Sequence, residues 1–212
     1  MPRLPRLVIP GLPHHVTQRG IRKKRTFFGV ADYLAYIRLL KHYQSKAGVR
    51  IWAYCLMPNH VHMIVVPESE ASLAKFFGPV HCRYATKVNA DHDWQGHLWQ
   101  QRFYSTVMDE RHTLVAMRYV ELNPVRSGLC QRAEEWRWSS ACANLGLKHD
   151  SLVETRATRA LVDDWESYLA EAIQDEMMNS IRKHTRTGRP AGSDYFIRSL
   201  GSLPEQLEIP KR

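Results

Sequence analysis

The first residues that could do chemistry are His60-Val61-His62. On a strand, side chains at i and i+2 leave the same face, so both imidazoles can converge on one cation while Val61 packs the other way. A bare pair of this kind is also met as two surface histidines. The second group is Tyr119-Val120-Glu121-Leu122-Asn123-Pro124. Four residues apart on a helix, Tyr119 and Asn123 share a face. Asn123 is placed by this reading at a helix C-terminus, where carbonyls and the negative dipole end favour a cation, and its amide oxygen suits a hard divalent ion. Tyr119 would then point at a metal-bound substrate. A phenol with its ordinary pKa of about 10 attacks only when a metal polarises the phosphate. Read alone, the same six residues also make an amphipathic core tyrosine and a helix cap.

Together the two groups are more specific. Met57-Pro58-Asn59-His60-Val61-His62 and Arg118-Tyr119-Val120-Glu121-Leu122-Asn123-Pro124-Val125-Arg126 resemble the two signature blocks of the REP-associated tyrosine transposases. These belong to the HUH (His-hydrophobic-His) nucleases and are relatives of the small insertion-sequence transposases. Other stretches resemble the family in order: His15-Val16-Thr17 with Arg19-Gly20, Gly96 to Phe103, Trp138-Ser139-Ser140, and Thr187-Gly188-Arg189-Pro190 with Gly192-Ser193. One departure is His14, where members often carry an aromatic residue; its expected effect is on packing only.

The resemblance implies that His60, His62 and Asn123 bind the metal and that Tyr119 is the nucleophile. It implies a ferredoxin-like antiparallel sheet with packed helices. It also implies hairpin or single-stranded DNA of repetitive extragenic palindromes as substrate, cut to a 5′-phosphotyrosine bond and a free 3′-hydroxyl. Mg²⁺ or Mn²⁺ is the implied ion, although imidazole also accepts zinc or nickel. Histidine ligation predicts that activity falls at acid pH.

The elements that must position these residues can be read from period and punctuation. His14 to Gln18 predicts a strand ended by Gly20, and Asp32 caps a helix that Gly48 stops. Arg50 to Met57 and His60 to Val66 predict two strands around a Pro58-Asn59 turn. Ser72 to Asn89 predicts a helix, and Leu98 to Met108 a strand or hairpin. Asp109 is the N-cap of a helix running to about Asn123, where Pro124 forbids continuation. Shorter helices are predicted at Trp138 to Leu145 and Asp163 to Ile181. Beyond Arg182 the chain reads as a loosely held basic tail. The adjacent strands of residues 50 to 66 make this α+β with an antiparallel sheet. We divide the chain into a catalytic domain over residues 1–150 and a C-terminal helical and basic extension over 151–212.

The 212 residues carry a net charge of +9 and a pI near 9.6, which favours a polyanionic partner. Arg19, Arg22, Lys23, Lys24 and Arg25 cluster after the first strand, and Arg102 precedes the catalytic helix. Such residues give affinity and salt dependence rather than sequence choice. Trp94, Trp99, Phe103 and Tyr104 are candidates for stacking on unpaired bases. Gly188-Arg189-Pro190 resembles the centre of an AT-hook and adds Arg189 to the DNA-binding set. The four cysteines have neither zinc-site nor disulfide-scaffold spacing, no signal peptide is evident, and no apolar run spans a bilayer. A cytoplasmic protein, monomer or homodimer, is the expectation. Two rivals share these residues: a non-catalytic, domesticated DNA-binding transposase, and a metallohydrolase that leaves no protein–DNA adduct.

Overall fold

A computed structural model of the chain describes residues 6–201; residues 1–5 and 202–212, including the end of the expected tail, lie outside them. Its centre is a four-stranded antiparallel sheet of β1 (His14–Arg19), β2 (Val49–Met57), β3 (His60–Pro67) and β4 (Tyr104–Val107), in the order β2-β3-β1-β4. Helix α1 (Val30–Ala47) links β1 to β2, and α2 (Ser72–Asp91) links β3 to β4. That is the expected ferredoxin-like arrangement.

Alternation on β3 sorts the two faces of the sheet. Val61, Met63 and Val65 join Val16 and Leu56 beneath Tyr36, Leu40, Phe76, Phe77 and Tyr84 of the two crossover helices. Ile64 joins Ala53, Cys55 and Met57 under α3 (Glu110–Glu121), which contributes Ala116, Met117 and Val120. His60 and His62 belong by parity to this second face. A one-residue slip of β3 would bury the histidines among the phenylalanines and move Val61, Met63 and Val65 to the α3 face, so the placement of the polar imidazoles holds the register.

Most predicted elements are present, with instructive differences. Gly29 rather than Asp32 is the N-cap of α1; Asp32 lies one turn in, accepts from Phe28 N and Gly29 N, and pairs with Lys87 of α2 at 2.8 Å. Only Tyr104–Val107 of the predicted 98–108 strand joins the sheet, because Trp99 turns inward to donate its indole N–H to His81 O at 3.0 Å. Asp109 does cap α3, accepting from His112 N at 2.8 Å. However, α3 ends at Glu121 and a further helical turn, α4 (Asn123–Arg126), follows directly. Pro124 sits in the first turn of α4, where its missing N–H costs nothing. Asn123 therefore opens a new turn instead of closing the long helix, and its carbonyl is taken by Ser127 N at 3.0 Å. The dipole argument for its position fails.

The C-terminal part is more ordered than the composition suggests. After the short helices α5 (Ala141–Asn144) and α6 (Thr155–Leu161), the predicted 163–181 helix is split into α7 (Trp165–Ala170) and α8 (Asp175–Thr187). The chain leaves helical geometry at Glu171, which pairs with Arg118 of α3 at 2.5 Å. Past Arg182, where a loose tail was expected, α8 continues to Gly188 and α9 (Asp194–Gly201) follows. Ala191 N donates to Val107 O at 2.9 Å and Ser193 N to Asp109 Oδ2 at 2.8 Å, so this stretch is tied to the edge of the sheet. Among the described residues no helix is long and apolar enough to cross a membrane.

Helix α3 is anchored from below by Glu121, which is fully buried. Its carboxylate accepts from Ser140 Oγ at 2.5 Å, Asn144 Nδ2 at 2.7 Å and Trp165 Nε1 at 2.8 Å. Burial raises its pKa while the three donors lower it. Glu121→Gln is isosteric, yet either amide orientation sets an NH₂ against an indole N–H or another amide NH₂. Urea denaturation is expected to show a loss of about 2–3 kcal/mol, the cost of a buried unsatisfied donor pair; an unchanged midpoint would mean that the triad of donors holds nothing.

Candidate active site

The β2–β3 turn prepares the first imidazole. Asn59 Oδ1 accepts from His60 Nδ1 at 2.5 Å, while Asn59 Nδ2 donates to Lys23 O at 2.9 Å. His60 must then carry its proton on Nδ1, which leaves the Nε2 lone pair outward. His62 lies in register with Thr17 of β1, with its ring 4.9 Å from that of His60 and 79° to it. Its Nδ1 is 2.9 Å from Nε2 of His15, and the two rings stack at 5.1 Å. Neither Nε2 of His60 nor that of His62 has a hydrogen-bond partner among the described residues. Burial pushes the pKa of His60 down to about 3 and of His15 to about 4, and His62 shifts strongly the same way. These imidazoles are neutral, the form a metal needs.

Tyr119 reaches the same place from α3. Its half-buried ring stands 5.7 Å from that of His62 and 6.3 Å from that of His15, edge to face in both cases. The Arg126 guanidinium lies over the tyrosine ring at 4.0 Å and donates to Tyr119 O at 2.8 Å. A cation on the ring face favours negative charge on the phenolic oxygen. Asn123, two residues past the end of α3, is buried, and its Nδ2 has no partner among the described residues. A half-turn about the last side-chain bond exchanges the two ends of the amide, so the unpartnered end can present oxygen.

Among the described residues no group of three His, Cys, Asp or Glu side chains is placed to hold a metal. Two neutral imidazoles with unpartnered Nε2 atoms and one buried amide are of a chemistry that would fit a divalent ion with positions open for substrate oxygens. A closed structural site would require a fourth protein ligand.

Basic residues surround this group. Arg19 is directly across from His60 in the β1–β3 register, and Arg22, Lys23 and Lys24 follow it, all exposed. Arg22 and Lys23 both have left-handed backbone, with φ of 52° and 59°, a conformation that costs non-glycine residues energy. The Asn59 contact to Lys23 O holds that loop beside the histidine turn. Gly20 starts it because a Cβ there would lie 2.3 Å from Lys24 O. Arg102 is exposed farther along, near Arg6. Trp99 and Phe103 are buried in the core, so of the four candidate stacking aromatics only Trp94 and Tyr104 reach solvent. Gly188-Arg189-Pro190 is no extended hook: Gly188, at φ 67°, ends α8, Pro190 is buried and Arg189 is exposed.

Residues 11–123, more than half of the chain, match the family described as Transposase IS200 like. The chain belongs to that family. The match embraces β1 through Asn123, and so every residue placed around the two histidines except Arg126 and those of α8. A Haemophilus influenzae protein described as a REP-associated tyrosine transposase is 25% identical over 137 residues, covering 57% of this chain and 75% of its own length. Among solved structures, a REP-associated tyrosine transposase bound to a REP hairpin shares the fold with a TM-score of 0.58 at 17% identity, over 73% of this chain and 98% of that one.

Sequence reasoning about this transposase missed four contributors. His15 and Arg126 were within the motif blocks but had no role assigned. Period two on β1 placed His15 on the face of Thr17, and Arg126 is seven residues beyond Tyr119, two helical turns on; both signals were available. Asn59 was read only as a turn residue. Thr185, whose hydroxyl lies 3.2 Å from His15 Nδ1, carried no signal at all, because 170 residues separate the pair.

Proposed function

We propose that this IS200-like transposase cuts and rejoins single-stranded or hairpin DNA through a covalent link to Tyr119. The observation that carries the reading is the ring contact of Tyr119 with His62, which in turn meets His60 on the same face of the sheet, both imidazoles with unpartnered Nε2 atoms among the described residues. In this reading His60, His62 and Asn123 hold a divalent ion, Mg²⁺ or Mn²⁺, which supplies charge neutralisation at the scissile phosphate. Tyr119 Oη attacks phosphorus in line as its proton leaves to solvent. The bond from phosphorus to the 3′-oxygen breaks, and that oxygen takes up a proton to become the free 3′-hydroxyl. The 5′-phosphotyrosine conserves the bond energy, so a second 3′-hydroxyl can reverse the step and join strands.

Arg126 stabilises the attacking phenolate, and Arg19, Arg22, Lys23 and Lys24 grip the phosphates beside it. Arg102 and Arg189 provide more distant contacts. Hairpins of repetitive extragenic palindromes are the proposed substrate, since the relative of known structure is bound to a REP hairpin. We assign the chemistry to residues 1–150 and a supporting role to the extension over 151–212.

The test is an adduct assay on a denaturing gel, with palindromic oligonucleotides, Mg²⁺ or Mn²⁺, and a chelator control. The expected result is a shifted protein band that needs metal. Cleavage without an adduct would establish the hydrolase instead, and tight binding with neither would leave a non-catalytic, domesticated DNA-binding transposase.

A further inference from the structure

Thr185 belongs to α8, well beyond the residues matched by the family, yet its hydroxyl touches the innermost histidine of the site. The direction of each hydrogen bond in this chain of groups can be worked out. Thr185 Oγ1 lies 2.7 Å from Ile181 O, and a carbonyl only accepts, so the single hydroxyl hydrogen goes there. The contact between Thr185 Oγ1 and His15 Nδ1 then needs its hydrogen from the imidazole. A neutral imidazole has one N–H, so Nε2 of His15 is bare and must accept. Its partner at 2.9 Å is Nδ1 of His62, which therefore carries the proton. The lone pair of His62 is left on Nε2.

We propose that Thr185 and His15 are positioning residues that hold His62 in its Nε2-ligating form, so that α8 completes the metal site from outside the family's common region. This rests on the metal reading given above. His60 gets the same service locally from Asn59, one residue away; His62, deep between strands, has to be served from another element. His15 and His62 are 2% and 6% exposed, so the imidazole–imidazole link is shielded from water, while Thr185 is half-buried. Helix α8 is fixed against the sheet by Thr106 Oγ1, which donates to His184 O at 3.0 Å, and by the Ala191 contacts that follow it. Without the hydroxyl, the two tautomers of His15 each leave one ring nitrogen unpaired, and the bias on His62 is gone. Partners of ligating histidines of this kind are typically worth about 10–100-fold in metal affinity.

The experiment uses the full chain in three forms: unaltered, Thr185→Val and Thr185→Ser. Free Mn²⁺ is titrated by electron paramagnetic resonance without DNA, and long-range proton–nitrogen spectra of the metal-free protein report which ring nitrogen of His62 is protonated. Melting curves establish that each form is folded. The expected result is protonated Nδ1 on His62 in the unaltered and serine forms, with Mn²⁺ affinity about tenfold or more weaker in the valine form alone. Folded Thr185→Val that binds Mn²⁺ as well as the unaltered chain overturns the proposal. So does a protonated Nε2 on His62 in the unaltered chain, a spectrum that needs no variant to fold. If the unaltered chain binds no Mn²⁺, both this proposal and the metal reading fall; if Mn²⁺ binding follows the hydroxyl but no DNA adduct forms, only the covalent mechanism does.

Discussion

The Tyr119→Phe protein is expected to form no adduct and to cleave single-stranded DNA on the order of 10³-fold or more slowly, while binding hairpin DNA as before. The size of the effect follows from what is removed. The Arg126 guanidinium, which interacts with the Tyr119 hydroxyl, keeps its bond to Tyr119 O at 2.8 Å in the variant, so loss of the hydroxyl strands no donor. The ring keeps its edge contacts with His15 and His62 and its place under Arg126. Stability should therefore shift by no more than about 0.5 kcal/mol. Only the oxygen proposed to attack disappears, and among the described residues no second tyrosine shares the ring contacts of His15, His60 and His62. Tyr36 and Tyr84 are buried on the opposite face of the sheet, and burial pushes both phenol pKa values up. The measurement is single-turnover cleavage beside a filter-binding titration. Residual adduct in the phenylalanine variant would move the nucleophile elsewhere, with exposed Tyr104 as the next residue to replace.

The second large effect is on acid stability of the metal-free protein. His14, His15 and His81 are buried, and desolvation lowers their pKa values to about 4, about 4 and about 3. The ordinary value is 6.5, so unfolding takes up protons throughout the window between. The sign is therefore that stability is full above pH 6.5 and is lost as pH falls below it. Each histidine contributes about 1.4 kcal/mol per pH unit, so the three together give about 4. His60 and His62 act in the same direction. Glu121 acts oppositely, since its raised pKa favours the protonated folded state, but it is one group against five. A domain stable by about 5–15 kcal/mol is then expected to unfold near pH 5.

Urea melts at pH 7.5, 6 and 5.5 measure this slope, and His81→Gln should remove about one proton from it. A pH-independent midpoint would show that these histidines charge within the fold. The outcome also refines the expectation that activity fails in acid because the ligands protonate. With His60 held neutral to about pH 3, the failure comes from unfolding first.

How much of this was legible in advance differs by residue. His60 and His62 could be placed on one face because strand period is a local property, and Asp109 could be read as a cap because the N-cap bond spans three residues. The ferredoxin-like antiparallel sheet was reached by resemblance, and the pairing of β2 with β3 by the Pro58-Asn59 turn, which forces neighbouring strands; the full order came from the structure. The helix-end reason given for Asn123 failed, since Pro124 opens a new helical turn instead of ending the old one; what the structure adds is a buried amide with an unpartnered Nδ2. Asp32 was displaced by one helical turn because capping from N3 and from N-cap draw on the same residue type.

What the sequence by itself determined is the set of reactive groups: two imidazoles at strand spacing, a tyrosine and an amide at helical spacing, and the basic loop beside them. Their state was decided by tertiary structure. Whether a histidine is neutral depends on burial, and which of its nitrogens holds the proton depends on a partner that is one residue away for His60 and 47 away for His62. The loose tail became a fixed wall because its Ala191 and Ser193 found the sheet edge and the cap of α3. Spacing along a chain carries the geometry of one element. The proton on His62 belongs to the junction of three.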